Sequence, residues 1–121
     1  MTRHQNSFLP YGRQEIDDED IAAVQAVLHN DFLTTGPLVD EFESKFAETV
    51  GSQYAIACSN GTAALHLAAL ALGIGPGDRV IVPSVTFLAT ANAIRYVGAD
   101  VVFADIDPDT GQMEPEQLAA A

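Results

Sequence analysis

Apolar positions in the first part of the chain recur at the spacing of α-helices. Ile21, Val24 and Leu28 share one face of a segment that opens with Asp17, a residue suited to capping a helix. A second segment starts at Pro37, ends at Gly51 and has an apolar residue at every fourth position: Leu38, Phe42 and Phe46. The pattern predicts two helices, one over about residues 18–29 and one from residue 37 to the glycine at 51.

Beyond residue 54, short apolar runs without a period of two alternate with helical segments and turns. Runs of this kind are typical of buried parallel strands joined by crossover helices. The predicted elements are the strands Tyr54–Cys58, Val80–Pro83 and Asp100–Ala104, the helices Thr62–Leu72 and Phe87–Val97, and a last helix opening at Glu114 and Pro115. We therefore expect an α/β fold, and the open edges that three strands leave indicate a fragment of a larger one.

Composition and charge narrow the function classes. The 121 residues are 48% apolar and 18% charged, which predicts a folded domain with a core. The net charge of −12 disfavours binding to nucleic acid or to an anionic membrane surface. The one cysteine, Cys58, and a start without an apolar leader predict a reducing, cytoplasmic location. The uncharged stretch Thr49–Gly77 is broken by polar residues and glycines, so we expect a buried helix there and no membrane span.

One candidate site lies where the first predicted strand turns into a helix, in the run Ser59-Asn60-Gly61-Thr62. A glycine, two hydroxyls and the amides of a helix start together suit a phosphate group. An ordinary N-cap before a buried Ala/Leu helix explains the same run equally well. Asn60-Gly61-Thr62 also matches a glycosylation acceptor, but that modification needs a secretory context. The glycines at 73–77 follow a helix and indicate a turn, not a dinucleotide fingerprint.

A second candidate site follows the next strand, where Ser84, Thr86 and Phe87 come after Pro83. Ligands bind at the carboxyl ends of parallel strands in open α/β sheets, and an aromatic side chain there can stack on a flat ring. A phenylalanine that begins an apolar helix is more often a core residue, so both interpretations stay open for Phe87.

Other reactive residue types have simpler explanations. Lys45, the only lysine, follows Glu41 by four residues, which predicts an exposed ion pair. Asp105 and Asp107 precede Pro108 and Gly111, which indicates a turn. The three histidines have no metal-ligand spacing, and Cys58 is expected to pack as a small apolar residue.

Taken in order, the motifs resemble the DegT/DnrJ/EryC1/StrS family of pyridoxal-phosphate sugar aminotransferases. The matching runs are Tyr11-Gly12-Arg13-Gln14, Leu33-Thr34-Thr35-Gly36-Pro37, Phe42-Glu43, Ser59-Asn60-Gly61-Thr62-Ala63-Ala64-Leu65, Pro76-Gly77-Asp78, Pro83-Ser84-Val85-Thr86-Phe87 and Ala89-Thr90-Ala91-Asn92-Ala93. The resemblance implies the large domain of a fold-type-I transferase over residues 37–121, preceded by an arm, helix and substrate-side loop over 1–36. In that fold the first strand lies far from the second and third, whereas a self-contained module would have all three adjacent.

The resemblance also implies roles for particular residues. Ser59, Gly61 and Thr62 would hold the phosphate of pyridoxal 5′-phosphate, and Phe87 would stack on its ring. Tyr11 and the loop Thr34-Thr35-Gly36 would face a nucleotide-sugar substrate. The lysine that forms the Schiff base lies further along in family members, so the 121 residues alone are expected to be inactive.

The activity implied by the resemblance is transfer of an amino group from glutamate to a sugar. The members most like this chain act on the 4-keto group of a UDP-linked 4-keto-6-deoxy N-acetyl sugar in pseudaminic acid synthesis, as homodimers. Two alternatives stay open. One is a freestanding module that binds a phosphorylated metabolite, and the other is a dehydratase or sensor member of the same family.

Overall fold

The computed structural model describes residues 12–29 and 32–121. Its elements are helices α1 (Asp18–Leu28), α2 (Pro37–Val50) and α3 (Gly61–Ala71), strand β1 (Arg79–Pro83), helix α4 (Leu88–Tyr96), strand β2 (Asp100–Ala104) and helix α5 (Pro115–Ala120). The predicted bounds of these elements agree to within one residue at nearly every end, because glycines, prolines and capping residues mark those ends in the sequence.

The structure divides into two compact units, one reaching Ala55 and one spanning Ile56–Ala121. The first unit contains α1 and α2. Asp17 caps α1 by accepting from the amides of Glu19 and Asp20. Gly51 ends α2 in the left-handed region, with φ of 68°. The boundary predicted at residue 36 stays a prediction.

The second unit is built on two parallel strands, β1 and β2, in register from Arg79 opposite Asp100 to Pro83 opposite Ala104. Helix α4 connects them and packs on both. Ala69, Val82, Ile94 and Ala99 form the buried cluster where α3, α4 and the sheet meet. The core of this unit is therefore small and made mostly of short side chains.

The predicted strand Tyr54–Cys58 is wrong as a sheet strand within the described residues, since the sheet contains β1 and β2 only. A strand needs a neighbour for its backbone groups, and Tyr54 and Ile56 are 75% and 77% exposed. The arrangement agrees with the separated first strand that the resemblance implies. It disagrees with a self-contained module, for which all three strands would be adjacent.

The expectation of a buried α3 is also wrong for these residues, because Ala69 is the only buried residue of that helix. The apolar residues of α3 surround the helix, whereas one side packs against α4. The strands are half-covered in the same way, with Phe103 60% exposed on β2. No helix in the described part of the chain is long and apolar enough to cross a membrane.

Candidate functional site

The start of α3 has amide donors that have no acceptor among the residues that the structure describes. Asn60 is the N-cap, and its Oδ1 accepts from the amide of Ala63 at 2.9 Å. The amide of Ala64 donates to the Asn60 carbonyl at 3.1 Å. Among the residues that the structure describes, no acceptor meets the amides of Gly61 and Thr62. The ordinary cap and the phosphate cradle are therefore compatible, since the cap uses one donor and leaves two.

Gly61 leaves room for a ligand beside these amides. A Cβ placed on Gly61 would meet no heavy atom within 4 Å, and the residue does not have a positive φ. Gly98 differs, because its φ is 83° and an added Cβ would lie 3.1 Å from Pro76 Cγ. Backbone strain and packing thus explain the glycine at 98 but not the one at 61. The open space at Gly61 is compatible with close approach of a ligand to the helix start.

The charge around the start of α3 favours an anion. The first turn has no acidic residue, and residues 49–77 contain no charged side chain in a chain whose net charge is −12. The partial positive charge of the helix start is therefore not offset by nearby carboxylates. This environment suits a phosphate group. It gives no reason to expect a nucleic acid or a cation there.

The two hydroxyls and the cysteine next to this helix start are exposed or half-exposed. Ser59 Oγ accepts from Asn60 Nδ2 at 3.3 Å, which leaves its hydroxyl proton for another acceptor. Thr62 is partly buried at the second helical position. Cys58 was expected to pack as an apolar residue, but it is exposed, and its Sγ lies 3.4 Å from the Asn60 carbonyl oxygen. The expectation failed because no strand adjoins residues 54–58.

Phe87 lies at the end of the loop that leaves the sheet after β1. The loop begins with a hydrogen bond from the Ser84 amide to the Ala104 carbonyl, 2.8 Å long, which extends the pairing of β1 with β2. Phe87 is the N-cap of α4 and is 73% exposed. The core interpretation of Phe87 is wrong for this unit. An exposed ring in this position can cover a flat heterocycle.

The loop predicted to face the substrate, Thr34-Thr35-Gly36, lies in the first unit, between α1 and α2. Thr35 has a positive φ of 50°, unusual for a β-branched residue, and its Oγ1 donates to the Thr34 carbonyl at 2.8 Å. A Cβ on Gly36 would lie 2.8 Å from Phe32 Cβ, so the turn requires glycine there. The loop borders a cavity of about 360 Å³ lined mainly by apolar residues. Tyr11, the other substrate-side residue, lies outside the described residues.

The second unit thus contains Ser59, Gly61, Thr62 and Phe87, and the first contains Thr34, Thr35 and Gly36. Their roles in binding stay predictions. No individual role was predicted for two residues that make hydrogen bonds beside these positions. Asn60 is the cap of α3, and Thr90 bonds the loop before Phe87. Asparagine is a strong capping residue, and Thr86 and Thr90 are four residues apart, so the sequence contained a signal for each contact. Neither signal is specific to a ligand site.

Lys45 forms the predicted ion pair with Glu41, and the two side chains are 73% and 53% exposed. The hydrogen bond from Lys45 to the Glu41 carboxylate raises the pKa of Lys45 and lowers the pKa of Glu41. A lysine whose pKa is raised stays protonated near neutral pH, so it is a poor amine nucleophile. The structure gives no reason to assign Lys45 a catalytic role.

The acidic turn is also as predicted. Asp107 Oδ1 accepts from the amides of Asp109 and Thr110, both at 2.9 Å. These backbone hydrogen bonds, that of Thr110 first, lower the pKa of Asp107. Within residues 12–29 and 32–121, no group of three or more histidine, cysteine, aspartate or glutamate residues is placed to hold a metal ion.

Comparison with known proteins decides the family. The model of the DegT/DnrJ/EryC1/StrS aminotransferase family matches residues 14–121. The chain belongs to the DegT/DnrJ/EryC1/StrS aminotransferase family. The α/β structure of this family member is therefore part of the fold of pyridoxal-phosphate-dependent aminotransferases, as the sequence motifs predicted.

Three solved structures show how this family member relates to others. The aminotransferase from Psychrobacter cryohalolentis is 41% identical with a TM-score of 0.82, over 95% of this chain and 29% of that one. A DegT DnrJ EryC1 StrS aminotransferase from Brucella abortus is 48% identical with a TM-score of 0.76, over 84% and 27%. The E. coli GDP-4-keto-6-deoxy-D-mannose-3-dehydratase with bound hydrated PLP is 35% identical with a TM-score of 0.83, over 93% and 30%.

The coverage values show how long this family member is relative to these proteins. The chain spans less than a third of the length of each of these relatives. The family includes both aminotransferases and a sugar dehydratase, and pyridoxal phosphate is bound in the dehydratase structure. The cofactor predicted from the motifs is therefore the cofactor of a solved relative.

Proposed function

We propose that this chain supplies the cofactor-phosphate and ring-stacking residues of a pyridoxal-phosphate-dependent nucleotide-sugar aminotransferase. The observation that supports it most directly is the start of α3, where two amides that have no acceptor within residues 12–29 and 32–121 lie beside the open space at Gly61. The family match to residues 14–121 and the exposed Phe87 point to the same cofactor.

Each proposed residue has a distinct task. The amides of Gly61 and Thr62 donate to the phosphate oxygens, and the hydroxyls of Ser59 and Thr62 add two donors. Phe87 covers one face of the pyridine ring and keeps water from it. Bound pyridoxal phosphate supplies an electron sink for amino-group transfer. The Schiff-base lysine is not among the 121 residues, so we assign them binding and orientation.

We further propose the substrate and the assembly. The amino donor is glutamate, and the acceptor is the 4-keto group of a UDP-linked 4-keto-6-deoxy N-acetyl sugar, which the loop Thr34–Gly36 and Tyr11 contact. The enzyme acts in the cytoplasm as a homodimer. The loop's positive φ at Thr35 and its adjacent cavity support a binding role for it, because backbone strain is concentrated at ligand sites.

Binding of pyridoxal phosphate to the 121-residue chain tests the cofactor site. We expect saturable binding, measured by the absorbance of the cofactor and by calorimetry, with competition by inorganic phosphate. Gly61→Val fills the space beside the amides and is expected to weaken binding at least about tenfold, equivalent to about 1.4 kcal/mol. Gly12→Val is the matched control, because an added Cβ at Gly12 also meets no atom within 4 Å.

Two outcomes would contradict the cofactor site. One is a wild-type chain that binds pyridoxal phosphate no more tightly than Gly61→Val does. The other is an equal loss in Gly61→Val and Gly12→Val, which would show that the helix start has no special part in binding. Circular dichroism of each variant establishes that the helices are retained.

A dehydratase is the second candidate, because the E. coli 3-dehydratase matches this chain with a TM-score of 0.83. The two reactions differ in their products. An aminotransferase replaces the sugar keto oxygen with an amine and consumes glutamate, whereas a dehydratase removes a hydroxyl. Mass spectrometry of the sugar product formed by an enzyme containing this chain distinguishes them, and a product that has lost a sugar hydroxyl and gained no amine would overturn the aminotransferase proposal.

A further inference from the structure

The start of α4 is unusual because its N-cap residue is a phenylalanine. Phe87 makes no side-chain capping hydrogen bond. Serine, threonine, asparagine or aspartate would cap the helix better, and an exposed aromatic ring contributes nothing to folding by burial. Phe87 is 73% exposed, so a contribution to the stability of this unit does not explain why a phenylalanine occupies this position.

A hydrogen bond between two side chains spans this uncapped helix start. The hydroxyls of Thr86 and Thr90 lie 2.9 Å apart and share a hydrogen bond that spans Phe87. The amide of Thr90 also donates to the Phe87 carbonyl at 3.0 Å. Thr90 therefore restrains the chain at two points. Its hydroxyl bonds the hydroxyl of Thr86, the residue before Phe87, and its amide bonds the carbonyl of Phe87.

The surroundings make this bridge an effective anchor. Ala89 and Ala93 of α4 are 5% and 2% exposed, so the helix that carries Thr90 is fixed in the core. At the other end of the loop, the Ser84 amide bonds the carbonyl of Ala104, itself 2% exposed. The segment between these anchors contains Val85, Thr86 and Phe87, all exposed, and the hydroxyl bridge is its side-chain link to the helix.

We propose that Thr90 is a positioning residue that acts through Thr86 to hold Phe87 against the ring of the cofactor. This inference rests on the proposed function, in which Phe87 covers the pyridine ring of pyridoxal phosphate. Thr90 is not among the residues proposed to bind the phosphate or the ring. Its effect is to keep the Phe87 backbone in one place, so that less freedom is lost when a ring binds.

The test compares ligands with and without a ring on the full 121-residue chain. Thr90→Val keeps the shape of the side chain and removes the hydroxyl. We expect it to weaken binding of pyridoxal phosphate by about threefold to tenfold, as for one lost hydrogen bond, and to leave binding of inorganic phosphate unchanged. Thr90→Ser keeps the hydroxyl and is expected to restore affinity to within about twofold.

A double-mutant cycle shows whether Thr90 acts through the ring. In a Phe87→Ala background, Thr90→Val is expected to change pyridoxal-phosphate affinity less than about twofold, because the residue that it positions has gone. Thr49→Val is the matched control, since the Thr49 hydroxyl donates to the Lys45 carbonyl within α2. This control is expected to change neither affinity nor the loop.

Backbone dynamics provide a readout that needs no ligand. We expect the amide order parameter of Phe87 to be about 0.85 in the wild-type chain and in Thr90→Ser, and to fall toward about 0.6 in Thr90→Val. Equal order parameters in wild type and Thr90→Val overturn the inference. So does an equal loss of pyridoxal phosphate and inorganic phosphate binding, or full additivity with Phe87→Ala. A wild-type chain that binds no pyridoxal phosphate refutes the proposed function instead, and the order parameters still decide the role of Thr90.

Discussion

The starts of α1 and α3 are built from the same helical geometry and have opposite electrostatics. At α1, the Asp17 carboxylate accepts from two amides, Asp20 reaches back to the Asp17 amide, and the first turn holds Asp18, Glu19 and Asp20. At α3, the neutral Asn60 accepts from one amide, and no acid lies in the first turn. Within the described residues, one amide of the first turn of α1, that of Asp18, has no acceptor, whereas two amides of α3 have none.

This difference shows how a strongly acidic chain can still take up an anion. The net charge of −12 describes the whole chain, but the field within a helix turn of α3 depends on the groups there. Ten of the seventeen acids lie in residues 1–50, and none lies in residues 49–77. We therefore expect a phosphate group to be repelled at α1 and accepted at α3, which the net charge of the whole chain would not predict.

The largest effect is expected when α3 is made to resemble α1. Asn60→Asp keeps a good capping residue but puts a carboxylate where the phosphate is proposed to bind. We expect pyridoxal-phosphate affinity, measured by calorimetry, to fall at least about tenfold, because the new carboxylate and the phosphate are both negatively charged and repel each other. Asp17→Asn, the reverse change at α1, is expected to leave the affinity unaltered. Unchanged binding in Asn60→Asp would remove α3 from the proposed site.

Removing each cap compares their contributions to stability. Asp17 serves two amides and a reciprocal bond, whereas Asn60 serves one amide. We expect the free energy of unfolding to fall by about 1–2 kcal/mol in Asp17→Ala and about 0.5–1 kcal/mol in Asn60→Ala. Urea unfolding followed by circular dichroism measures both. A larger loss of unfolding free energy in Asn60→Ala than in Asp17→Ala would contradict this expectation.

A smaller effect concerns Asp107, which shows the same amide-to-anion recognition inside the chain. Hydrogen bonds from the amides of Thr110 and Asp109 to its carboxylate lower the pKa of Asp107 from its ordinary value. A lowered pKa in the folded state contributes stability that is present above pH 3.8 and is lost as pH falls through the folded value. Asp107→Asn keeps the oxygen acceptor and removes the charge. We expect it to be less stable than wild type at pH 6, with the difference shrinking below pH 3.8. A difference independent of pH would contradict this account.

The smallest effect is expected at Lys45, which pairs with Glu41 in the first unit. Lys45→Met is expected to leave pyridoxal-phosphate affinity unchanged. Borohydride reduction followed by mass spectrometry should give no specific adduct on Lys45 in the wild-type chain, because its raised pKa keeps the amine protonated. A stable adduct on Lys45 would show that this exposed cation takes part in cofactor chemistry after all.

Local signals predicted most of the secondary structure. Pro37 and Gly51 bound α2, Asp17 begins α1, and Gly98 separates α4 from β2 through backbone preferences that act within a few residues. The chemical character of the α3 start was also predictable, since Gly61 and the absence of nearby acids are properties of the sequence. What failed was burial. An apolar run predicts that something covers it but not which segment does, as the exposed Tyr54 and Ile56 show.

By itself, then, the sequence determined where helices begin and end and which helix start is free of acids, because caps, breakers and charges act over one turn. Only the tertiary structure decided that Phe87 projects from the loop instead of entering the core. The pairing of β1 with β2 apart from residues 54–58 was expected from the family resemblance, but no local pattern in the sequence required it. Strand pairing and burial depend on which distant segments meet, and that information is not contained in the pattern of any one segment.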